Sequence, residues 1–381
     1  MKIVVMPDKF KGTLKSEEAT EAIVGGIEAV IGRRGRIGIE VIGRPLADGG
    51  DGTLYILTND GERQRVMSYD ARMRSVDTEI GIKMTGGVKH GIIESATSIG
   101  LSRLRRAERN PELTTSYGLG VQIRRALEAG CTKLTIAIGG TATNDCGAGM
   151  LSALGVRFYD ACGSLIEYPC GKDLIRISDM DLCGITELFR GIEIEIMCDV
   201  DNPLLGSEGA TMVFGQQKGA DQEMLLRLEA GVKRYSELMT DIVGKDIRMQ
   251  PGSGAAGGIG WALRMISEAH YTEGAATVSK FTGVDEAIQG AVLLVTGEGK
   301  CDGASMHSKV VGHVAKLGRE HDIPVLVLCG MRDGKLSEEL VREAGINSIH
   351  ALTEYVTHQE AFSHPHEALT RMTETVFEQI L

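Results

Sequence analysis

An α/β fold with a mainly parallel sheet is the architecture that the sequence predicts, from two observations. The first is a repeated order of short apolar run, glycine- or aspartate-containing turn and helix-period segment, which is typical of parallel strands joined by helices. The second is a content of 50 glycines in 381 residues, roughly double the ~7% average. A chain of this length exceeds one ordinary core, so we expect two domains.

The N-terminal segment predicts a strand, a helix and a second strand. Residues 3–5 (IVV) are the first strand, and an amphipathic helix is expected to follow with Ser16 as its N-cap. Residues 37–42 (IGIEVI) are the second strand, and the turn RPLADGGDGT leads from them to a short helix that ends near Asn59. This is the beginning of a parallel α/β unit.

The C-terminal segment repeats the same pattern. Three apolar runs at 291–295, 323–329 and 346–352 are predicted strands, and the segments 310–318 and 337–344 between them have helical spacing. These elements resemble the N-terminal group, so the two chain ends are expected to share one sheet.

The middle of the chain predicts a different arrangement. Alternating apolar residues at 76–84 and 88–95 indicate a hairpin, and an apolar stripe along 221–239 indicates a long helix that packs on a core.

We therefore predict two α/β domains. One is a doubly wound, Rossmann-like parallel-sheet domain formed by both chain ends, residues 1–65 plus 286–381. The other is an inserted α/β domain with a mixed sheet over residues 66–285. The active site is expected in the cleft between them.

Charge and cysteine usage exclude some classes of function. The formal net charge of −11 argues against a nucleic-acid or anionic-membrane surface, which would need clustered Lys and Arg. The eight cysteines show no zinc-like spacing and are expected to be buried, reduced thiols. No secretory or membrane-spanning segment is recognised, so we expect a cytoplasmic protein.

Glycine-rich loops that follow strands are the strongest functional signal. Such loops expose backbone N–H groups that bind phosphate oxygens, although glycines in one such loop can equally serve a tight turn. Five loops have this character: PDKFKG7–12, PLADGGDGT45–53, GGTATNDCGAG139–149, PGSGAAGG251–258 and TGEGKCDG296–303. The fourth contains GxGxxG, but a proline stands where a buried strand should precede it, so a dinucleotide-binding motif is rejected.

The same loops carry carboxylates and lysines. The acids are Asp8, Asp48, Asp51, Asp145, Glu298 and Asp302, and the cations are Lys9, Lys11, Lys218, Lys300 and Lys309. Asp199 and Asp201, after the apolar run 192–197, are either Mg²⁺ ligands or caps of their own turn. Phosphoryl transfer needs backbone donors, cations and a carboxylate near the attacking hydroxyl, and the sequence contains each of these.

Ordered sequence blocks resemble those of the bacterial glycerate kinase family over essentially the whole chain. They are PDKFKGTL7–14, PLADGGDGT45–53, TSYGLG115–120, IGGTATNDCGAGML138–151, CDVDNPLLG198–206, FGQQKGA214–220, PGSGAAGGIG251–260, TGEGKCDG296–303 and HSK307–309. The resemblance implies a two-domain kinase that uses Mg²⁺ and ATP to phosphorylate D-glycerate, with 2-phosphoglycerate favoured over 3-phosphoglycerate.

The resemblance also implies roles for residues. ATP phosphates are assigned to Gly139, Gly140, Thr141, Thr143, Asn144, Gly297 and Gly299. Catalysis is assigned to Asp48, Lys11 and Asp199, substrate binding to Lys9, Lys218, Asp51 and Asp302, and Mg²⁺ binding to Asp199 and Asp201. Asp51 stands where relatives usually carry Glu. For His307, the histidine nearest to this chemistry, a structural role is expected.

Two alternatives remain open from the sequence. One is a kinase for a related small hydroxy acid, and the other is a catalytically silent metabolite-binding regulator on the same fold. The oligomeric state is also open, a homo-oligomer included.

Overall fold

The computed structural model describes residues 1–306 and 309–381, and it divides into two compact units. Unit 1 comprises Met1–Asp48 and Glu273–Leu381, and unit 2 comprises Gly49–Thr272. His307, for which the sequence predicted a structural role, lies outside the described residues.

The strands and helices follow in chain order. The strands are β1 (Lys2–Pro7), β2 (Glu40–Gly43), β3 (Arg63–Tyr69), β4 (Ser75–Thr85), β5 (Val88–Glu94), β6 (Lys133–Ala137), β7 (Arg157–Asp160), β8 (Ile177–Asp181), β9 (Glu193–Met197), β10 (His270–Thr272), β11 (Leu293–Cys301), β12 (Val325–Arg332) and β13 (Ser348–Ala351). The helices are α1 (Ser16–Arg33), α2 (Thr53–Leu57), α3 (Ala96–Ile99), α4 (Tyr117–Glu128), α5 (Ala148–Leu154), α6 (Ile185–Leu188), α7 (Ala210–Phe214), α8 (Gln222–Val243), α9 (Ile259–Ile266), α10 (Gly274–Phe281), α11 (Val284–Ala287), α12 (Val310–His321), α13 (Glu338–Glu343), α14 (His358–Ser363) and α15 (Pro365–Ile380).

Unit 1 is built on a parallel sheet with the strand order β13-β12-β11-β1-β2. Val4 of β1 is paired with Leu294 of β11 on one side and with Ile42 of β2 on the other. The N-terminal strand therefore lies inside the sheet, between strands from both ends of the sequence. The predicted α/β fold, with a parallel sheet formed by both chain ends, is confirmed.

Helices cover both faces of this sheet. On one face, α1 and α15 pack on each other and share a core with Ile3, Val5 and Val295. Helix α12 packs against β11 and β12, and its buried Val311 and Val314 lie outside that core. Because side chains alternate along a strand, this division into two faces follows from the two-residue period of the strands.

Unit 2 contains the predicted mixed sheet, with the strand order β10-β9-β6-β5-β4-β3. Strands β10, β9, β6 and β5 are paired in parallel, and β5, β4 and β3 are paired antiparallel. The predicted hairpin is confirmed, with Thr85 paired to Val88 across a turn in which Gly86 and Gly87 have φ of 58° and 83°. Both turn residues require positive φ, which glycine adopts without strain.

The predicted long helix of unit 2 is confirmed as α8. Its N-cap is Asp221, whose carboxylate accepts a hydrogen bond from Met224 N at 2.8 Å. The apolar stripe is buried, and Tyr235 packs edge-on against Trp261 with ring centroids 6.0 Å apart. Aromatic packing of this kind holds α8 and α9 on the unit 2 core.

The borders of the units differ from the predicted ones at 65/66 and 285/286. Residues 49–65 belong to unit 2 because β3 begins at Arg63 and is paired with β4. The segment from Glu273 belongs to unit 1, where α10 packs against α12. A turn or short helix at a border has no sequence period of its own, and only pairing and packing assign it.

Ser16 is not the N-cap of α1, contrary to the sequence prediction. The N-cap is Lys15, and Ser16 is the first helical residue. The buried Ser16 Oγ lies 2.7 Å from Pro7 O and 2.8 Å from Leu46 O. The hydroxyl group therefore contacts the end of β1 and the loop after β2, just before Asp8 and Asp48.

Two further expectations concern membranes and thiols. Across residues 1–306 and 309–381, no helix combines the length and the apolar character that crossing a bilayer requires.

All the cysteines are free, but Cys162 and Cys183 are exposed. The prediction of buried thiols is therefore wrong for these two, which lie in turns, and Cys198 is only partly buried. The prediction is correct for Cys131, Cys146, Cys170, Cys301 and Cys329.

Candidate active site

The sheet of unit 1 changes winding direction between β1 and β11. From β1 the chain passes through α1 to β2 on one side, and from β11 it passes through α12 to β12 on the other side. In open α/β sheets, ligands bind beyond the carboxyl ends of the strands at such a switch point. Asp8 directly follows β1, and Glu298 lies in the last part of β11.

Lys9 connects the two aspartates that follow β1 and β2. Its Nζ lies 3.3 Å from Asp48 Oδ1 and 3.7 Å from Asp8 Oδ1. Asp8 Oδ1 also accepts a hydrogen bond from Lys9 N at 2.7 Å, and Asp8 N donates to Gly297 O at 2.8 Å. These bonds hold the Asp8 turn against β11.

Burial raises the pKa of two carboxyl groups at this edge. The pKa of Asp8 rises to about 7, chiefly because the group is buried, with Lys9 opposing the rise and the charges of Asp48 and Glu298 adding to it. The pKa of Glu298 also rises to about 7 through burial, against the hydrogen bond of Ser305. Both groups therefore exchange protons near neutral pH, which is the range that general acid–base chemistry uses.

Close backbone packing explains the two glycines beside Glu298. A Cβ on Gly297 would lie 2.1 Å from Leu328 O, and a Cβ on Gly299 would lie 2.8 Å from Lys11 N. The structure thus gives Gly297 and Gly299 a packing role that does not depend on a ligand. Of the other predicted residues in unit 1, Lys11 is exposed, whereas Lys9, Asp48 and Asp302 are partly buried.

The carboxyl edge of the unit 2 sheet carries the glycine-rich turn after β6. Gly139 N donates to Gly49 O at 3.1 Å, and a Cβ on Gly139 would lie 2.8 Å from Gly50 Cα. Gly140 is exposed, has a φ of 74°, and would bring a Cβ to 3.3 Å from Asp51 Oδ1. The structure thus brings together two loops that the sequence singled out separately, at 49–53 and 139–141.

Glu94, at the end of β5, is a residue that the sequence reasoning missed. Its buried carboxylate accepts hydrogen bonds from Gly52 N at 3.1 Å and from Leu54 N at 2.9 Å. It therefore fixes the 49–53 loop at the start of α2, where backbone N–H groups lack helical partners. The available signal was an acid at the carboxyl end of a predicted strand, where Asp199 also follows its strand.

The later part of the 139–149 turn is buried. Thr143, Asn144 and Asp145 have no exposed surface. Asp145 accepts hydrogen bonds from Ser116 N at 2.7 Å and from Ser116 Oγ at 2.8 Å, and burial raises its pKa while these bonds oppose the rise. Thr143 and Asn144 are thus enclosed in unit 2, and Gly139 and Gly140 are the accessible predicted phosphate ligands of this turn.

Lys218 is also enclosed, since it is 3% exposed. Its Nζ donates to Thr143 O at 2.7 Å. Burial lowers the pKa of the ammonium group to about 8, with the charge of Asp145 opposing the change. The structure therefore places Lys218 in contact with the turn after β6, and its assignment as a substrate ligand stays a prediction.

Loop 251–258 packs against the same turn. Cys146 N donates to Gly257 O at 3.0 Å, and a Cβ on Gly257 would lie 2.2 Å from Thr143 O. The glycines of this loop permit close backbone contact. Among the described elements, the one that precedes the loop is helix α8 (Gln222–Val243) and not a strand, so the loop lacks the strand that a dinucleotide-binding motif needs.

Asp199 and Asp201 follow β9 at the carboxyl edge of the unit 2 sheet. Asp199 is partly buried and Asp201 is exposed, and the loop is held by a hydrogen bond from Cys198 N to Thr272 O at 3.0 Å. Among the described residues, no three His, Cys, Asp or Glu side chains form a complete metal centre. Mg²⁺ commonly binds one or two protein carboxylates together with water and substrate phosphates, so this pair fits the ion.

The fold and these sites define a class of enzyme. Each unit presents acids, lysines and close-packed glycine turns at the carboxyl ends of parallel strands, which is the inventory of a small-molecule phosphotransferase. The family model described as the glycerate kinase family matches residues 3–381. The chain belongs to the glycerate kinase family.

Several proteins similar to this chain are named glycerate kinases. A glycerate kinase from Bacillus subtilis (strain 168) is 36% identical over 374 residues, covering 97% of this chain and 95% of that protein. A glycerate 2-kinase from Escherichia coli (strain K12) is 34% identical over 379 residues, covering 99% and 97%. The crystal structure of a candidate glycerate kinase 2 from Salmonella typhimurium LT2 superposes with a TM-score of 0.80 at 33% identity, covering 100% of this chain and 98% of that chain. The predicted family and enzyme class are confirmed.

Proposed function

We propose that the enzyme transfers the γ-phosphoryl group of ATP to D-glycerate and forms 2-phosphoglycerate in preference to 3-phosphoglycerate. Family membership over residues 3–381 supports glycerate as the substrate, and the similar Escherichia coli protein is named glycerate 2-kinase. The observation that carries the proposal is the contact of Lys9 Nζ with Asp48 Oδ1 at 3.3 Å, beside Asp8 at the switch point of unit 1. A carboxylate and a cation held together in this way suit the activation of a hydroxyl group of an anionic substrate.

Residues of unit 1 would handle the acceptor. Asp48 would accept the proton of the attacking hydroxyl, and Lys9 would orient the Asp48 carboxylate. Lys11, exposed after the same turn, would neutralise the carboxylate of glycerate or the transferring phosphoryl group. Asp302 is proposed to bind a polar group of the substrate, and the same role is proposed for Asp51.

Residues of unit 2 would handle the nucleotide. The N–H group of Gly140 would donate to ATP phosphates, and the partly exposed Gly139 would let the backbone approach them. Thr141, which is 5% exposed, would support the turn from behind. Lys218 would hold this turn through Thr143 O. Asp199 and Asp201 would bind Mg²⁺, and the ion would neutralise charge on the phosphates.

Phosphorus NMR of the reaction tests activity and position together. The purified chain, ATP, Mg²⁺ and D-glycerate should yield ADP and a phosphomonoester. In a proton-coupled ³¹P spectrum, 2-phosphoglycerate gives a doublet, because one methine proton is coupled, and 3-phosphoglycerate gives a triplet, because two methylene protons are coupled. A triplet would overturn the proposed position.

The same assay distinguishes the two alternative functions. ADP release over a panel of small hydroxy acids, with D-glycerate not the best substrate, would favour a kinase for a related acid. Binding of ATP and D-glycerate without ADP would favour a silent regulator. ADP without a new phosphomonoester would contradict all three, since it indicates hydrolysis only.

We also propose that the enzyme acts in the cytoplasm. The free state of all eight cysteines supports this location, since reducing compartments keep thiols unpaired. Cell fractionation with activity measurement tests it, and activity confined to a membrane or extracellular fraction would contradict it.

A further inference from the structure

Glu298 is a buried carboxylate with an incomplete set of hydrogen bonds. The residue is 7% exposed, and its Oε1 has no hydrogen-bond partner among the described residues. A buried carboxylate oxygen without a donor is unfavourable, because it has lost water and gained no bond in return. Native structures keep such an oxygen where a ligand or an ordered water completes it.

The backbone that carries Glu298 is held in place by close packing. Gly297 lies against Leu328 O, Gly299 lies against Lys11 N, and Thr296 Oγ1 donates to Met6 O at 2.8 Å. The strand that carries Glu298 is thus fixed on both sides, between β1 and β12. The carboxyl group of Glu298 therefore starts from a fixed backbone position at this edge of unit 1.

The charges around Glu298 limit what can bind it. Asp48 and Asp302 raise its pKa, Lys309 lowers it, and Asp8 is the third neighbouring acid. An ionised phosphate or carboxylate has no hydrogen to donate to Oε1, and the acids near Glu298 outnumber the cations Lys9 and Lys309, which disfavours an anion here. A hydroxyl group can donate a hydrogen bond and carries no charge.

We propose that Glu298 is a substrate-binding residue whose Oε1 accepts a hydrogen bond from a hydroxyl group of the hydroxy-acid acceptor. This inference rests on the proposed function and adds a contact that determines specificity. Asp48 acts on the hydroxyl that is phosphorylated, and Glu298 binds a hydroxyl at the switch point between β1 and β11. Recognition of a hydroxyl by a buried acceptor discriminates strongly against analogues that lack it, since the acceptor is then left unpaired.

The contact is tested by combining Glu298 variants with substrate analogues that lack one hydroxyl group. The dissociation constants of D-glycerate, D-lactate and 3-hydroxypropionate are measured by isothermal titration calorimetry with the full chain; each analogue lacks one of the two hydroxyl groups. The wild type should bind one of the analogues at least ~10-fold more weakly than D-glycerate. Glu298→Leu should reduce that ratio to below ~3-fold, and Glu298→Gln, which keeps a neutral acceptor, should give an intermediate ratio.

The outcomes separate this inference from the proposed function. One contrary outcome is that both Glu298 variants raise the dissociation constants of all three acids by the same factor, or leave all three unchanged. Either result would show that Oε1 does not bind a substrate hydroxyl, and an ordered water would then be its partner. If Glu298→Leu does not fold, Glu298→Gln decides by the same ratios. Glu343→Gln, an exposed substitution of the same kind on α13, should leave every ratio unchanged, and circular dichroism on heating checks folding.

A wild type that binds D-glycerate but forms no phosphomonoester would contradict the proposed function, while the binding cycle would still decide the role of Glu298. A wild type that binds none of the three acids would overturn both proposals. Normal phosphorylation with equal ratios in wild type and variants would overturn the Glu298 contact alone.

Discussion

Lys9 and Asp48 form a partly exposed ion pair. Their side chains are 20% and 28% exposed, so a ligand can reach them while the surrounding protein still excludes much of the water. Opposite charges interact more strongly in such a setting than at an open surface. The pair therefore orients the Asp48 carboxylate without burying it.

Replacing Asp48 with Asn tests the proposed proton acceptor. The amide keeps the size of the side chain but accepts no proton, so kcat should fall at least ~100-fold. Coupled measurement of ADP release gives kcat and KM. Asp322→Asn is the matched control in unit 1, because Asp322 is exposed and has a φ of 54°, which Asn also adopts. Wild-type turnover in Asp48→Asn would remove Asp48 from the mechanism.

The raised pKa of Asp8 predicts a pH-dependent cost to stability. The group titrates at 3.8 when unfolded and at about 7 when folded, so the folded state binds more protons between these values. Stability is therefore lost as the pH rises through this range. Asp8→Asn removes the loss, and the variant should gain stability relative to wild type between pH 5 and pH 8.

Urea denaturation at the two pH values measures the gain. Each unit of pKa shift corresponds to about 1.4 kcal/mol, so the difference in unfolding free energy should grow by more than about 1 kcal/mol. Asp322→Asn should show no such growth. A difference that stays constant or shrinks from pH 5 to pH 8 would show that the Asp8 carboxyl is not destabilised by burial.

The sequence indicated which residue types lie at strand ends, but it did not indicate which of them are buried. The carboxylate of Asp48 and the ammonium group of Lys9, which the sequence singled out for their charge, form an ion pair in the structure. Other polar residues that the sequence singled out are buried inside unit 2. They are Thr143, Asn144 and Lys218. Burial depends on contacts such as the one between Lys218 and Thr143 O, 75 positions apart, and no local pattern encodes them.

The turn after β6 is the element that the proposed nucleotide site depends on. Gly139 and Gly140 lie against the 49–53 loop, and Lys218 holds the turn from inside. The accessible backbone is confined to its first residues. A side chain at Gly140 would therefore alter the site without entering the core.

Gly140→Val should raise the KM for ATP more than the KM for glycerate. Valine strains a residue with a φ of 74° and brings Cβ to 3.3 Å from Asp51 Oδ1, where it hinders the approach of phosphates. Gly87→Val is the control, since Gly87 has a φ of 83° in the β4–β5 turn of the same unit and open space around it. Steady-state kinetics on both variants separates backbone strain from loss of the site. An unchanged KM for ATP in Gly140→Val would assign the phosphates to another loop.

Regular elements were predicted well because their periods are local. The strands of unit 1, the β4–β5 hairpin and α8 agree with their apolar spacing within a few residues. The N-cap of α1 was predicted one residue too late, because Ser16 contacts Pro7 O and Leu46 O instead of capping the helix. A serine before a helix has the same sequence signature in both cases.

Unit 2 is a continuous segment with its own sheet and core, which predicts that it folds when expressed alone. A fragment of residues 49–272 should unfold in one cooperative transition, because all strand pairs of its sheets lie within it. Differential scanning calorimetry measures the transition.

A fragment with the borders predicted from sequence, residues 66–285, is the matched comparison. It lacks residues 63–65 of β3, which pair with β4, and also lacks the 49–53 loop that Glu94 binds. It should melt at a lower temperature or without a cooperative transition. Equal melting of the two fragments would show that the 49–65 segment adds nothing to unit 2.

The position of β1 inside the sheet of unit 1 has a consequence for protein synthesis. Met6 accepts a hydrogen bond from Thr296, 290 positions later, and ribosomes need about 15–60 s to make that length at about 5–20 residues per second. During this time one side of an apolar strand has no neighbour, and unpaired strand edges promote association with other chains. Until β11 is made, folding of the intervening segment or binding of a chaperone would limit aggregation at this edge.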